Sequence, residues 1–160
     1  MTMVATETTA RILEEKIVSR RARVGIVGLG YVGLPLAVEF ARAGFTVTGI
    51  DLNAAKTERV NAGESYVGDI SSAALSQLVQ EGKLRATTDF GAVRDLDTIN
   101  ICVPTPLRKT KDPDMSYIVS SCEDILRHLH TGMQIILEST TYPGTPTNCC
   151  SPCSRNPACA

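Results

Sequence analysis

Three glycines and one aspartate are the residues whose types and spacing most clearly indicate chemistry. Gly28, Gly30 and Gly33 form the pattern G-x-G-x-x-G, and Asp51 follows about 20 residues further on. Glycines at this spacing let a backbone turn approach a pyrophosphate, and the helix that follows presents unpaired N–H groups and the positive end of its dipole. The pattern predicts a dinucleotide-binding turn. The alternative is that the glycines only make a tight connection between a strand and a helix.

Asp51 is expected at the end of a strand, where its carboxylate would accept hydrogen bonds from the hydroxyls of an adenosine ribose. A carboxylate at this position repels a 2′-phosphate, so the expected cofactor is NAD rather than NADP. The same side chain could act as the N-cap of the helix that follows, which is compatible with the cofactor role.

The elements that must position these residues alternate along the chain. Short apolar strands are predicted at 23–27, 46–50, 84–88, 98–103 and 133–138, and helices at about 34–43, 54–62, 72–81 and 116–129. Strands that alternate with helices in this way predict right-handed βαβ units. We therefore expect an α/β fold with a doubly wound parallel sheet of the Rossmann type, incomplete at its C-terminal end.

Composition excludes several other classes of protein. The chain has 160 residues, 43% of them hydrophobic and 21% charged, with a formal net charge of −1. This balance argues against a nucleic-acid-binding protein, which would carry a basic stripe. The sequence has no run of about 18 uncharged apolar residues that could span a membrane, and residues 1–23 lack the apolar core of a signal peptide. The expected location is the cytoplasm.

Three segments together resemble one known family. VGIVGLGYVGLPLA at 24–37 resembles the opening of the nucleotide-sugar 6-dehydrogenases, the UDP-glucose/GDP-mannose dehydrogenase family. Two later segments agree in order and spacing: CVPTPL at 102–107 with DPDMSY at 112–117, and ESTTYPGT at 138–145. The sequences of these later segments are most similar to the UDP-N-acetylglucosamine 6-dehydrogenase branch, with UDP-N-acetylmannosamine dehydrogenase as its near neighbour.

The resemblance implies a four-electron oxidation in the complete family member. Two NAD-dependent hydride transfers convert the C6 alcohol of a UDP-N-acetylhexosamine into a carboxylate, which supplies precursors of surface polysaccharides. In such enzymes the intermediate aldehyde is held on a cysteine, oxidised to a thioester and hydrolysed. The resemblance also implies a homo-oligomer, which we do not expect this chain to form by itself.

The same resemblance implies roles for individual residues. Tyr31, Val32 and Gly33 would lie along the pyrophosphate, and Lys56 would reach the adenosine side. Val103, Pro104 and Thr105 would form a loop under the cofactor. Ser139 and Thr140 would end the fifth strand, with Thr140 near the nicotinamide in a supporting catalytic role. The alternatives are a solvated helix lysine for Lys56, a turn hydroxyl for Thr105 and a strand-end cap for Thr140.

The last 15 residues differ from the rest of the chain. Residues 146–160 have the sequence PTNCCSPCSRNPACA and contain four of the six cysteines. Their spacing lacks the paired cysteines of usual structural zinc sites, so no metal is expected, and a disulfide cluster conflicts with a reducing compartment. A third interpretation is translation out of frame. Cysteine codons are TGY, so moving the frame back by one base turns the junctions 148–149 and 149–150 into leucine codons.

These observations predict a flexible N-terminal arm over 1–22 with one or two helical turns around residues 12–18, an NAD-binding domain over 23–145 and an aberrant tail over 146–160. The nucleophilic cysteine of the family lies further downstream, and Cys102 and Cys122 are interpreted as packing residues. We expect a chain that binds NAD weakly and does not turn over a UDP-sugar. The alternatives are a stand-alone NAD-binding or regulatory module and a dehydrogenase of the β-hydroxyacid type, which shares the glycine turn.

Overall fold

Five parallel strands and the helices between them make up the part of the chain that the computed structural model describes, residues 3–106 and 114–139. In chain order the elements are α1 (Met3–Val18), β1 (Arg23–Val27), α2 (Gly33–Arg42), β2 (Thr46–Ile50), α3 (Ala54–Asn61), α4 (Ser72–Gln80), β3 (Leu84–Thr87), a 3₁₀ helix (Phe90–Asp95), β4 (Thr98–Ile101), α5 (Ser116–Leu126) and β5 (Gln134–Leu137).

The sheet has the strand order β3-β2-β1-β4-β5, which confirms the predicted Rossmann-type α/β fold. β1 lies at the centre and pairs with both β2 and β4. Because the chain order reverses there, the helices after β1 and β4 lie on opposite faces, and a crevice opens at the carboxyl ends of these strands. The glycine turn begins at that point.

Apolar side chains cover both faces of the sheet. On one face, Leu34 and Val38 of α2 and Leu75 of α4 are fully buried. On the other face, Ile99 of β4 packs with Ile118 of α5. This two-sided burial explains why β1, β2 and β4 are continuous runs of apolar residues. None of the helices in the described residues is long and apolar enough to cross a membrane.

The N-terminal segment is more ordered than the sequence predicts. Only one or two helical turns are expected around residues 12–18, whereas α1 extends from Met3 to Val18. The ammonium of Lys16 lies 2.6 Å from a carboxylate oxygen of Asp97, and the guanidinium of Arg20 lies 4.9 Å from the centre of the Phe45 ring. These contacts with distant residues attach the helix to the domain.

Smaller differences concern the ends of elements. The 3₁₀ helix over Phe90–Asp95 is not predicted, and β4 ends at Ile101 rather than at residue 103. The N-cap of α3 is Asn53, whose side chain accepts from the N–H of Ala55. The alternative that Asp51 caps this helix is therefore wrong. Its carboxylate instead accepts from the N–H of Asn53, 2.9 Å away.

Candidate cofactor site

The carboxyl ends of the parallel strands form one edge where the chain segments after β1, β2, β4 and β5 meet. The strand ladder continues just past this edge, since the N–H of Gly28 donates to Ile50 O and that of Cys102 donates to Val27 O. The Ser139 hydroxyl donates to Val103 O at 2.7 Å and joins the segment after β5 to the loop after β4. The predicted site residues from four separate segments are brought together in this way.

Two of the three glycines in the turn are required by packing within the protein. Gly28 has φ +94°, and a Cβ there would lie 2.8 Å from the carbonyl oxygen of Cys102. A Cβ on Gly33 would lie 1.8 Å from the carbonyl oxygen of Gly28. The first glycine therefore lets the chain turn against β4, and the last lets α2 begin directly against the turn.

Gly30 differs, because a Cβ added there would meet no atom within 4 Å. The space beside it belongs to an open cavity of about 510 Å³. No packing contact within the described residues requires glycine at this position, and the missing side chain leaves room for a ligand to come close to the backbone. This cradle at the start of α2 fits a pyrophosphate, whose charge the N-terminal end of the helix favours.

The Asp51 side chain is mostly buried, with 11% of its surface exposed, and its carboxylate already organises the turn. One oxygen accepts from the N–H of Leu29 at 2.8 Å and lies 3.1 Å from the ammonium of Lys56. The other accepts from Asn53. Lys56 therefore has a defined partner, which argues against the simple solvated-lysine interpretation. A carboxylate has about four acceptor positions, so these bonds leave Asp51 able to accept from a ribose hydroxyl as well.

The cavity collects most of the residues predicted from the sequence. Its lining includes Gly28, Gly30, Tyr31, Val32, Asp51, Lys56, Val103, Pro104, Thr105 and Ser139. Tyr31 and Val32 are unusually exposed for their size, at 83% and 61%. Gly33 is buried beneath the turn, and Thr140 lies outside the described residues.

Four further residues line the cavity without having been predicted as cofactor contacts: Tyr66, Val67, Cys102 and Glu138. Tyr66 and Val67 belong to the connection between α3 and α4, and the Tyr66 hydroxyl donates to Leu29 O at 2.6 Å. The signal in the sequence is slight, since Tyr66 and Val67 are two of three large apolar or aromatic side chains in this loop, the third being Ile70. Their place at the site depends on how this loop folds over the turn.

The two cysteines in the described residues are not suited to nucleophilic chemistry. Burial, together with the negative charge of Glu138, raises the pKa of Cys102 to about 11, so its thiol stays protonated near neutral pH. Cys122 is buried in α5, with 3% of its surface exposed. Among the described residues no group of three or more His, Cys, Asp or Glu side chains is placed to hold a metal ion.

Comparison with known proteins agrees with this geometry. The profile of the "UDP-glucose/GDP-mannose dehydrogenase family, NAD binding domain" matches residues 22–158. GDP-mannose 6-dehydrogenase of Pseudomonas syringae pv. tomato is 40% identical over 134 residues, which cover 79% of this chain and 30% of that protein. UDP-N-acetyl-D-glucosamine 6-dehydrogenase of Pseudomonas aeruginosa is 35% identical over 130 residues, covering 81% and 30% respectively.

The solved structures give the same result. A crystal structure of a ternary complex of GDP-mannose dehydrogenase from Pseudomonas aeruginosa superimposes with a TM-score of 0.75 at 36% identity, over 81% of this chain and 31% of that one. The chain thus spans about a third of the length of the relatives it matches. The matching region, the sheet order and the glycine turn coincide, and the chain belongs to the UDP-glucose/GDP-mannose dehydrogenase family, of which it carries the NAD-binding domain.

Proposed function

We propose that this chain is the cofactor-binding part of an enzyme that oxidises the C6 alcohol of a UDP-N-acetylhexosamine to the carboxylate. The observation that carries the proposal is the cavity of about 510 Å³ at the carboxyl edge of the sheet, whose lining includes both the open backbone of Gly30 and Asp51. This combination suits a dinucleotide with a free adenosine ribose.

Each part of the cavity has a separate task in holding NAD. The turn around Gly30 and the start of α2 would face the pyrophosphate, and Asp51 would accept from the ribose. The loop of Val103, Pro104 and Thr105, held by the Ser139 hydroxyl, would support the nicotinamide half. When bound, NAD supplies the hydride acceptor for oxidation of an alcohol.

The nucleotide of the sugar substrate has two candidates. The segments at 102–107 and 138–145 resemble the UDP-N-acetylglucosamine 6-dehydrogenases, and a relative of that name is 35% identical. GDP-mannose 6-dehydrogenases reach 40% identity, which favours GDP-mannose as the second candidate. We prefer the UDP-N-acetylhexosamine because the described part of these segments, residues 102–105 and 138–139, lines the cavity at the carboxyl edge, where ligands of open α/β sheets bind.

For the 160-residue chain we infer NAD binding without turnover. The two cysteines within the described residues, Cys102 and Cys122, are both buried, and a thioester mechanism needs an accessible thiolate. The family resemblance places the nucleophilic cysteine further downstream than the segment at 138–145. Calorimetric titration with NAD and NADP, and NADH absorbance with UDP-N-acetylglucosamine, UDP-N-acetylmannosamine and GDP-mannose, test this inference. We expect saturable binding that favours NAD, and no NADH above background. NADH formation with any of the three sugars would contradict the inference.

The same measurements separate the other two functions that the sequence leaves open. A chain that stays folded and binds NAD tightly, at micromolar concentration or below, would favour a stand-alone NAD-binding or regulatory module. NADH formation with a small β-hydroxyacid, and none with a nucleotide sugar, would favour a dehydrogenase of the β-hydroxyacid type. The loop at 103–107 argues against this second alternative, since it resembles the nucleotide-sugar dehydrogenases instead.

A further inference from the structure

Leu29, between the first two glycines of the turn, has both of its backbone polar groups held by side chains from other elements. Its N–H donates to Asp51 Oδ2 at 2.8 Å, and its carbonyl oxygen accepts from the Tyr66 hydroxyl at 2.6 Å. The Leu29 side chain is fully buried. The residue is therefore fixed at three points, although it lies in a loop rather than in a strand or helix.

The bond from Tyr66 controls the direction of one particular N–H group. A peptide unit is planar, and in its trans form the carbonyl and the N–H point in opposite directions. The carbonyl of Leu29 and the N–H of Gly30 belong to the same unit. If this unit rotated, a carbonyl oxygen would take the place of the N–H beside the open cradle at Gly30 and would repel a phosphate.

Tyr66 is itself held in place. The guanidinium of Arg59 lies 5.3 Å from the centre of the Tyr66 ring and also donates to Ser65 O at 3.1 Å. Burial and the nearby charge of Asp51 raise the pKa of Tyr66 to about 12, and the opposing effect of Arg59 is smaller. The hydroxyl therefore stays protonated and able to donate near neutral pH.

We propose that Tyr66 is a positioning residue for the cofactor, whose hydroxyl holds the Leu29–Gly30 peptide in the orientation that presents the Gly30 N–H to the pyrophosphate of NAD. Tyr66 acts on the pyrophosphate only indirectly, by orienting this peptide. The connection between α3 and α4 would thereby contribute to cofactor binding, although it lies outside the G-x-G-x-x-G segment and the Asp51 strand end.

The test compares ADP-ribose, which contains the pyrophosphate, with adenosine, which lacks it. In NMR titrations of the whole chain, Tyr66→Phe should weaken ADP-ribose binding about three- to tenfold and change adenosine binding less than twofold. Thr48→Val is the matched control. Thr48, in β2, is buried and its hydroxyl accepts from Arg85 Nε, so the variant loses a hydrogen-bonded hydroxyl whose partner is Arg85 rather than Leu29.

A merely structural role for Tyr66 would weaken both ligands equally, or neither, and either result would overturn the proposal. The chemical shift of the Gly30 amide gives a measure that needs no ligand, because this N–H shares its peptide unit with the Leu29 carbonyl that accepts from Tyr66. The Gly30 amide signal should move in Tyr66→Phe, and Thr48→Val should leave it unchanged. An unchanged Gly30 amide signal in Tyr66→Phe would also refute the proposed role.

Discussion

Gly33 is required by packing within the protein, whereas Gly30 is not, so substitutions at the two positions should have different effects. A methyl group added at Gly33 would clash with the carbonyl oxygen of Gly28, whereas one added at Gly30 would enter open space. Gly33→Ala should therefore destabilise the fold by about 3 kcal/mol, the upper range for an overpacked site. Gly30→Ala should change the free energy of unfolding by less than about 1 kcal/mol, while weakening NAD about tenfold or more.

Urea unfolding and calorimetric NAD titration of the two variants check this prediction. Each variant serves as the control for the other, since both add one methyl group within the same turn. If Gly30→Ala bound NAD as tightly as the original chain, the open space beside Gly30 would not be the pyrophosphate cradle.

A second prediction at the residue scale concerns the choice between NAD and NADP. Asp51→Ser removes the carboxylate that would accept from the ribose and repel a 2′-phosphate, so it should weaken NAD at least tenfold and NADP far less. Part of the loss will appear as lower stability, because Asp51 also holds the Leu29 N–H.

Glu58→Gln is the matched control for Asp51→Ser, since Glu58 is an exposed carboxylate on the next helix, α3. Competition of each dinucleotide against a fluorescent adenine nucleotide measures both affinities. Equal weakening of NAD and NADP in Asp51→Ser would remove the ribose assignment.

Among the elements, α1 is attached by a charged contact that should depend on pH. Burial alone would raise the pKa of Asp97. The hydrogen bonds from the Arg23 N–H and Lys16, with the positive charges of both residues, outweigh burial and lower it. Since the folded pKa is below the unfolded value near 4, the stabilisation is present above about pH 4 and is lost as the pH falls through the folded pKa.

Asp97→Asn should therefore cost about 1 to 2 kcal/mol at pH 7, and the difference from the original chain should shrink at pH 3. Urea unfolding at the two pH values measures it. Glu39→Gln serves as control, because its ion pair with Arg42 is exposed and should contribute less than about 0.5 kcal/mol. A cost that is the same at both pH values would mean that the Asp97 charge does not stabilise the fold.

The sequence predicts elements well where burial is two-sided and the ends are marked. β1 and β2 match their predictions to the residue, because each is an apolar run that ends at Gly28 or Asp51. α1 is underestimated, because its attachment depends on contacts such as Lys16 with Asp97, which lie 81 residues apart. Tyr66 was missed for the same reason, since its partner Leu29 is 37 residues away and no local pattern records the bond.

At the scale of the whole molecule, the chain carries the NAD-binding domain of the family and spans about 30% of the relatives' length. The family profile extends through residue 158 and so includes most of the segment with the unusual composition. Residues 146–160 lie outside the described residues. The hypothesis that they are translated out of frame rests on their amino-acid composition and on the codons that these amino acids permit. Moved back by one base, the segment permits an acidic start followed by leucines at helical spacing.

This hypothesis makes the last prediction, which joins the gene to the activity. Sequencing the DNA around codon 146 should show that one inserted or deleted base restores a long downstream frame. A protein expressed from the restored frame should form NADH with a nucleotide sugar, and we expect UDP-N-acetylglucosamine to exceed GDP-mannose. The 160-residue chain, purified in parallel, is the control without turnover. A gene in which no single-base change opens a downstream frame would refute the frameshift. A restored enzyme that prefers GDP-mannose would support the frameshift but would contradict the proposed UDP-N-acetylhexosamine substrate.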